Sequence, residues 1–346
     1  MPLFLFFFIT MKALVLYTLS LFLFCSASLA DALTIYSYRH YESDVLLFDK
    51  FTEQTGIEVK VVKSKAGALL ERLKAEGDKT PADILITSDA GRLHQAREAG
   101  VLQPLKSPFL EQRVPANLRD PEGYWFGFTQ RARVLVYAPD RVSEDELSTY
   151  EDLASAEWRG RLLVRSSANV YNQSLLSSMI DANGKQQALQ WAKAVRKNMA
   201  RPPQGSDRDQ MRAVAAGLAD VAIVNTYYLG LLANSDNQKD RAVAAQLKVF
   251  FPNQAARGTH VNVSGAGVVA GSDNAEAAQR FLEYLATDEA QSAFTGATYE
   301  YPVVSDIKWS PLLQQWGTFK ADPISLARLG ELNADAIRCF NQAGWE

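Results

Sequence analysis

The chain has 346 residues, 47% of them hydrophobic and 22% charged, which is enough to bury a substantial core and long enough for about two domains. Lys and Arg number 36 against 39 Asp and Glu, so the formal net charge of -3 excludes a broad cationic face for gripping a phosphate backbone, and no nucleic-acid partner is expected. Only 2 Cys and 3 His stand beside 13 Tyr, which excludes a cysteine-rich zinc site or a His cluster; a bound metal would be held mainly by oxygen.

In chain order, the first 30 residues stand apart, with Lys12 as their only charged side chain and a largely apolar run of 12 residues from Ala13 to Phe24. That run is too short to span a bilayer. With the small residues ending at Ser28-Leu29-Ala30, it has the layout of a secretory signal peptide over residues 1–30, so export is expected and the mature chain begins near Asp31. Met11, directly before Lys12, is an alternative translation start, and bulky Phe24 makes Cys25 a poor fit for lipid attachment. Cleavage removes one Lys and one Cys, leaving a net charge of -4 and Cys339 alone, so no intrachain disulfide is expected.

Beyond Asp31, apolar β-rich runs alternate with helical patterns, which predicts an α/β architecture with largely parallel sheets. Leu33 to Tyr38 reads as a strand, and Glu42 to Thr55 as a helix whose apolar face carries Val45, Leu47, Phe48 and Phe51. Ile57 to Val62, the helix Gly67 to Gly77, and the strand Ala82 to Thr87 with its Ser88-Asp89 cap and following helix complete three β-α units of a doubly wound lobe. The same grammar resumes after two extended pieces, Phe126 to Phe128 and Arg133 to Tyr137. Strands are predicted at 162–164, 220–224 and 265–270, and helices at 173–199 with a break near Asn183-Gly184, at 226–233 and at 274–286. Two lobes joined by extended hinge crossings, with the ligand in the cleft between them, is the most economical arrangement. The expected division is 31–130 plus 254–300 for one lobe and 131–253 plus 301–346 for the other.

Ligands in open α/β sheets collect beyond the carboxyl ends of strands, where helix N-termini and free backbone N–H groups converge. Three such junctions supply tyrosine: Arg39-His40-Tyr41, the run Arg165 to Tyr171, and Asn225-Thr226-Tyr227-Tyr228. A single strand-end tyrosine usually packs its ring and wets its hydroxyl. Four phenols and an imidazole at equivalent junctions would instead face one cleft. A neutral phenol is a poor ligand, but a trivalent hard cation displaces its proton, which makes ferric iron the candidate. Four phenolates overcompensate +3, so a nearby guanidinium is needed; Arg39 and Arg131 are available, although Arg39 also reads as a surface charge.

At these residues the sequence resembles the periplasmic ferric-iron-binding proteins of ABC importers, especially the branch that includes the cyanobacterial iron-uptake proteins. The segments Tyr38-Arg39-His40-Tyr41, Asn169-Val170-Tyr171-Asn172-Gln173 and Asn225 to Gly230 carry the likeness, which extends over almost all of the mature chain. The resemblance implies a type II periplasmic-binding fold that holds Fe(III) through Tyr41 from one lobe and Tyr171, Tyr227 and Tyr228 from the other. It implies that His40 occupies the place of an additional nitrogen ligand and Arg131 that of an arginine behind the tyrosines. It marks Ser166 and Ser167 as candidate contacts of a synergistic anion. A monomer that passes its iron to the membrane subunits of an ABC permease is expected, without enzymatic activity.

Two other readings compete. A cleft of this kind also suits a small organic solute such as a polyamine, thiamine or a phosphonate; a secreted hydrolase would need convergent carboxylates, for instance around Asp83 and Asp89. Gly265 to Ala270 satisfies G-x-G-x-x-A, yet its Val-Val continuation reads as strand rather than the start of a nucleotide-binding helix. His94 and His260 read as solvated residues.

Overall fold

The computed structural model describes residues 32–39 and 43–345. The expected signal peptide, with Met11 and Cys25, and the candidate ligands His40 and Tyr41 lie outside the described residues.

The strands are β1 (Ala32–Ser37), β2 (Glu58–Lys63), β3 (Ile84–Ser88), β4 (Leu102–Gln103), β5 (Phe126–Tyr137), β6 (Leu162–Leu163), β7 (Val221–Asn225), β8 (Lys248–Phe250), β9 (Val261–Val269) and β10 (Tyr301–Pro302). Among the described residues they form one sheet in the order β2-β1-β3-β9-β5-β7-β6, with β4 on β9 and β8 and β10 on β5. The sheet is mixed rather than largely parallel. β1 runs parallel to β2 and β3, and β6 to β7, as β-α units require. The central pairings β3–β9, β9–β5 and β5–β7 are all antiparallel. That departure comes from β9, which arrives late in the chain and inserts between β3 and β5. β5 is also one strand of 12 residues where two short pieces are predicted. Residues 126–132 pair with β9 and 133–137 with β7, so one strand serves both halves of the sheet.

Each half has its own core. Leu33, Ile35, Phe51, Trp125 and Phe281 lie in one, and Leu135, Tyr150, Trp191, Ile223 and Phe340 in another. The C-terminal tail contributes to both: Val303, Val304, Leu326 and Leu329 join the first core, and Cys339, Phe340 and Trp345 the second.

The early helix spans Ser43–Thr55 and buries Asp44, Leu47, Phe48 and Phe51. Val45, expected on that face, is 45% exposed. The buried stripe is rotated away from it because Asp44 turns inward to pair with Arg39. The predicted break at Gly184 is real: the residue has φ +82° and separates helices Val170–Asn183 and Lys185–Asn198. The glycine-rich run is the middle of β9. A Cβ on Gly265 would lie 2.4 Å from the Phe126 carbonyl oxygen, and one on Gly267 2.3 Å from that of Tyr124. Close strand approach, not phosphate binding, requires these glycines.

Candidate functional site

Two helices that follow strand ends, one after the loop 164–169 and one at once, bring the tyrosines together. Tyr171 is the second residue of the 170–183 helix, whose N-cap Asn169 accepts a hydrogen bond from the Tyr171 N–H at 3.0 Å. Tyr227 and Tyr228 are the second and third residues of the helix Thr226–Ala233, which follows β7 without a loop. Arg133, buried in β5, ties the two starts together. Its guanidinium donates to Asn172 Oδ1 at 2.7 Å and to Asn225 Oδ1 at 3.1 Å, the residues next to Tyr171 and just before the Tyr227-Tyr228 pair. Asp207 neutralises it at 2.7 Å.

The result is a cluster of phenols. The Tyr171 and Tyr227 hydroxyl oxygens are 3.4 Å apart, and the Tyr227 and Tyr228 ring centroids 4.1 Å apart. They line a cavity of about 360 Å³ together with Tyr38, Arg39 and Ser88 from the first half of the sheet and Glu300 from the tail. A larger groove of about 570 Å³, bordered by Val114, Trp309 and Phe319, holds none of these phenols. Among the described residues no group of three or more His, Cys, Asp and Glu is placed to hold a metal ion, so phenol oxygens are the convergent donors.

Cations surround the phenols. Arg131, 2% exposed, has its guanidinium carbon 5.3 Å from the Tyr171 ring centroid; Arg165 approaches the same ring at 5.7 Å, and Arg208 lies 5.7 Å from that of Tyr228. Burial acts to strip Arg131 of its proton, but Tyr171, Glu300, Asp89 and Tyr227 outweigh it and hold the guanidinium charged. Its Nε and Nη2 atoms are buried without a hydrogen-bond partner among the described residues. Burial is also the main cause that pushes the Tyr228 phenol well above its usual range, reinforced by Tyr171 and Asp207 and opposed by the Tyr227 hydrogen bond and Arg165. A neutral Tyr228 at physiological pH follows.

Arg39 is not a surface charge: it is 7% exposed and pairs with Asp44 at 2.9 Å and Glu300 at 2.6 Å. Ser166 and Ser167 lie in the loop before the 170–183 helix, where their carbonyls accept from Asn172 and Gln173; they are outside the cavity's described lining. Asp83 and Asp89 sit at opposite ends of β3. Their carboxylates are taken up by Thr34, Ser272 and Asn274 in one case and by Gly91, Ser174 and Asn262 in the other, so they do not converge. His260 is not solvated but 2% exposed, and burial, with Arg257, Arg133 and Arg131, keeps its imidazole neutral. His94 is half-buried, packed against Gly330. Glu300, Arg165 and Arg208 are site residues that sequence reasoning missed. Arg165 had a signal, since it follows the same strand end that led to Tyr171; the other two had none.

The model of the bacterial extracellular solute-binding proteins matches residues 47–321. Iron uptake protein A1 of Synechocystis sp. is 48% identical over 314 residues, covering 91% of this chain and 87% of that protein. The chain belongs to the bacterial extracellular solute-binding proteins, in their iron-uptake branch. Among solved structures, a Trichodesmium protein of this branch in complex with iron and citrate ligands superposes with a TM-score of 0.90 at 49% identity, covering 91% of this chain and all of that one (100%). The major ferric iron-binding protein of Neisseria meningitidis serogroup B is 27% identical over 322 residues, covering 92% of this chain and 94% of its own length. The two-lobed type II periplasmic-binding fold of this branch accounts for the two cores and the shared crossing strands.

Proposed function

We propose that this solute-binding protein captures Fe(III) in the cleft through the phenolates of Tyr171, Tyr227 and Tyr228, with Tyr41 and His40 of the opposite lobe completing the shell, and delivers it to an ABC permease. The observation that carries the reading is three phenols meeting at two helix starts under the buried cation of Arg131. Burial holds the Tyr228 phenol protonated before binding, so loading displaces a proton there, and a trivalent hard ion is the cargo that repays that displacement. Relatives named for iron uptake and ferric-iron binding, and one solved with iron and citrate, support the same cargo.

The lobes are taken as 31–130 plus 254–300 and 131–253 plus 301–346, with residues 303–304 and 326–329 of the tail packed back on the first core. Bonds from both lobes to one ion would drive closure, since neither half-site alone fills the coordination shell. The protein is taken to act as a monomer. Periplasmic export through residues 1–30 fits a family of extracellular binding proteins. Arg165 and Arg208 beside the phenols, rather than the Ser166-Ser167 loop expected from the sequence, are the groups placed to hold an accompanying anion such as citrate.

Adding ferric citrate to the purified protein tests the reading: a visible phenolate-to-iron charge-transfer band is expected. A colourless protein that retains no iron after desalting would overturn it.

A further inference from the structure

Five buried acidic and basic side chains alternate along a row whose middle three members, Arg39, Glu300 and Arg131, line the cavity. Arg39 Nε lies 2.9 Å from Asp44 Oδ2, and its Nη1 lies 2.6 Å from Glu300 Oε2. The other Glu300 oxygen is 3.8 Å from Arg131 Nη1, and Arg131 Nη2 is 4.0 Å from Asp89 Oδ2. None of the five is more than 7% exposed. Of the row's two cations, Arg39 is the residue just before His40-Tyr41 in the chain and Arg131 lies against the ring of Tyr171.

Neutral groups fix the members in place. Thr129 Oγ1 accepts from Arg39 at 3.2 Å and donates to Glu300 at 2.9 Å; Ser264 accepts from Arg131 at 3.1 Å. Asp89 spends its oxygens on Gly91, Ser174 and Asn262, and so acts on Arg131 as a charge without holding it by a hydrogen bond. Glu300 is the one member that stands between two arginines. Without its charge, two buried cations share the floor of the cleft with a carboxylate only at each outer end, and a buried cation deprived of its partner is displaced or costs several kcal/mol.

We propose that Glu300 is a positioning residue for the cargo site: it couples the Arg39 segment of one lobe to Arg131, and through Arg131 fixes the face of Tyr171. The inference rests on the ferric reading of the tyrosines. Glu300 acts through the two guanidinia.

The test is a double-mutant cycle on the full chain, reading the iron-release rate to a competing chelator and the position of the visible band. Glu300→Gln keeps volume and hydrogen-bond acceptor but removes the charge; release about ten-fold faster or more, with a shifted band, is expected. Arg131→Gln should do the same, and the double variant should be no worse than Arg131→Gln alone. Glu151→Gln breaks a half-buried network with Arg257, Asn183 and Asn253 outside the cavity's described lining and should change neither readout. If Glu300→Gln does not fold, Thr129→Val, which only loosens Glu300 from Arg39, should still accelerate release by about three-fold. Release within two-fold of wild type in the folded variant, multiplying effects in the double variant, or an equal effect of Glu151→Gln would overturn the proposal. A wild-type protein that binds no iron would instead sink the ferric reading.

Discussion

Tyr228 is held neutral by its surroundings before any ligand arrives, because desolvation and the neighbouring Tyr171 and Asp207 oppose its ionisation. Under the proposed assignment, removing the Tyr228 phenol oxygen therefore removes a ligand without disturbing a charge of the iron-free state. Tyr227→Phe or Tyr228→Phe should lower iron retention against citrate by about ten-fold or more, since each loses a charge-assisted contact to the ion. Tyr137→Phe, a buried tyrosine elsewhere on β5, should stay within about two-fold, and equal losses in all three variants would contradict the assignment. A second residue-scale consequence concerns His260. Its native imidazole resists protonation, so the unfolded chain binds a proton first as pH falls through about 6.5, its ordinary value. Stability present above that pH is lost below it, at up to about 1.4 kcal/mol per pH unit for one proton. Denaturant melts of the iron-free protein from neutral pH down into this range should show that slope, and His260→Gln should flatten it.

The elements that make the site are the starts of two helices and the strands they follow. β9 passes so close to the start of β5 and to Tyr124 before it that only glycine fits at two positions. Gly265→Ala or Gly267→Ala pushes a methyl group into a backbone carbonyl and should cost at least about 2 kcal/mol in a thermal or denaturant melt. Gly67→Ala, in the first turn of the helix Ala66–Glu76 with open space around it among the described residues, should instead stabilise by about 0.5 kcal/mol. These elements also show how far sequence reasoning reached. The helix starts at Tyr171 and Tyr227 were legible because an apolar β-rich run ends there and a capping Asn precedes a helical pattern, all within a few residues. The antiparallel insertion of β9 between β3 and β5 was not legible, because strand order depends on pairings between segments more than 130 residues apart, such as Phe126 with Ala266. Val45 was misplaced for the related reason that the buried face of its helix is set by Asp44, whose partner network ends at Glu300.

At the scale of the whole molecule, one long strand and the C-terminal tail connect two cores, and a row of buried charges lies beneath the cavity between them. The net charge of the chain says nothing of this arrangement: the electrostatics that matter are local, Arg131 against phenols and carboxylates. Tyrosines at strand ends pointed to the cavity, yet half of its charged lining was invisible in the sequence. Arg39 and Glu300 are 261 residues apart, and no local pattern marks such a pair. The resemblance to ferric-iron-binding proteins supplied the cargo at once; the structure supplies the reason the phenols tolerate one another, which is the guanidinia packed around them.

The most direct measurement is an anomalous-scattering map from crystals of the protein loaded with ferric citrate. One iron peak at bonding distance from the phenol oxygens of Tyr171, Tyr227 and Tyr228 is predicted. No iron peak, or one that leaves these three oxygens uncoordinated, would contradict the account.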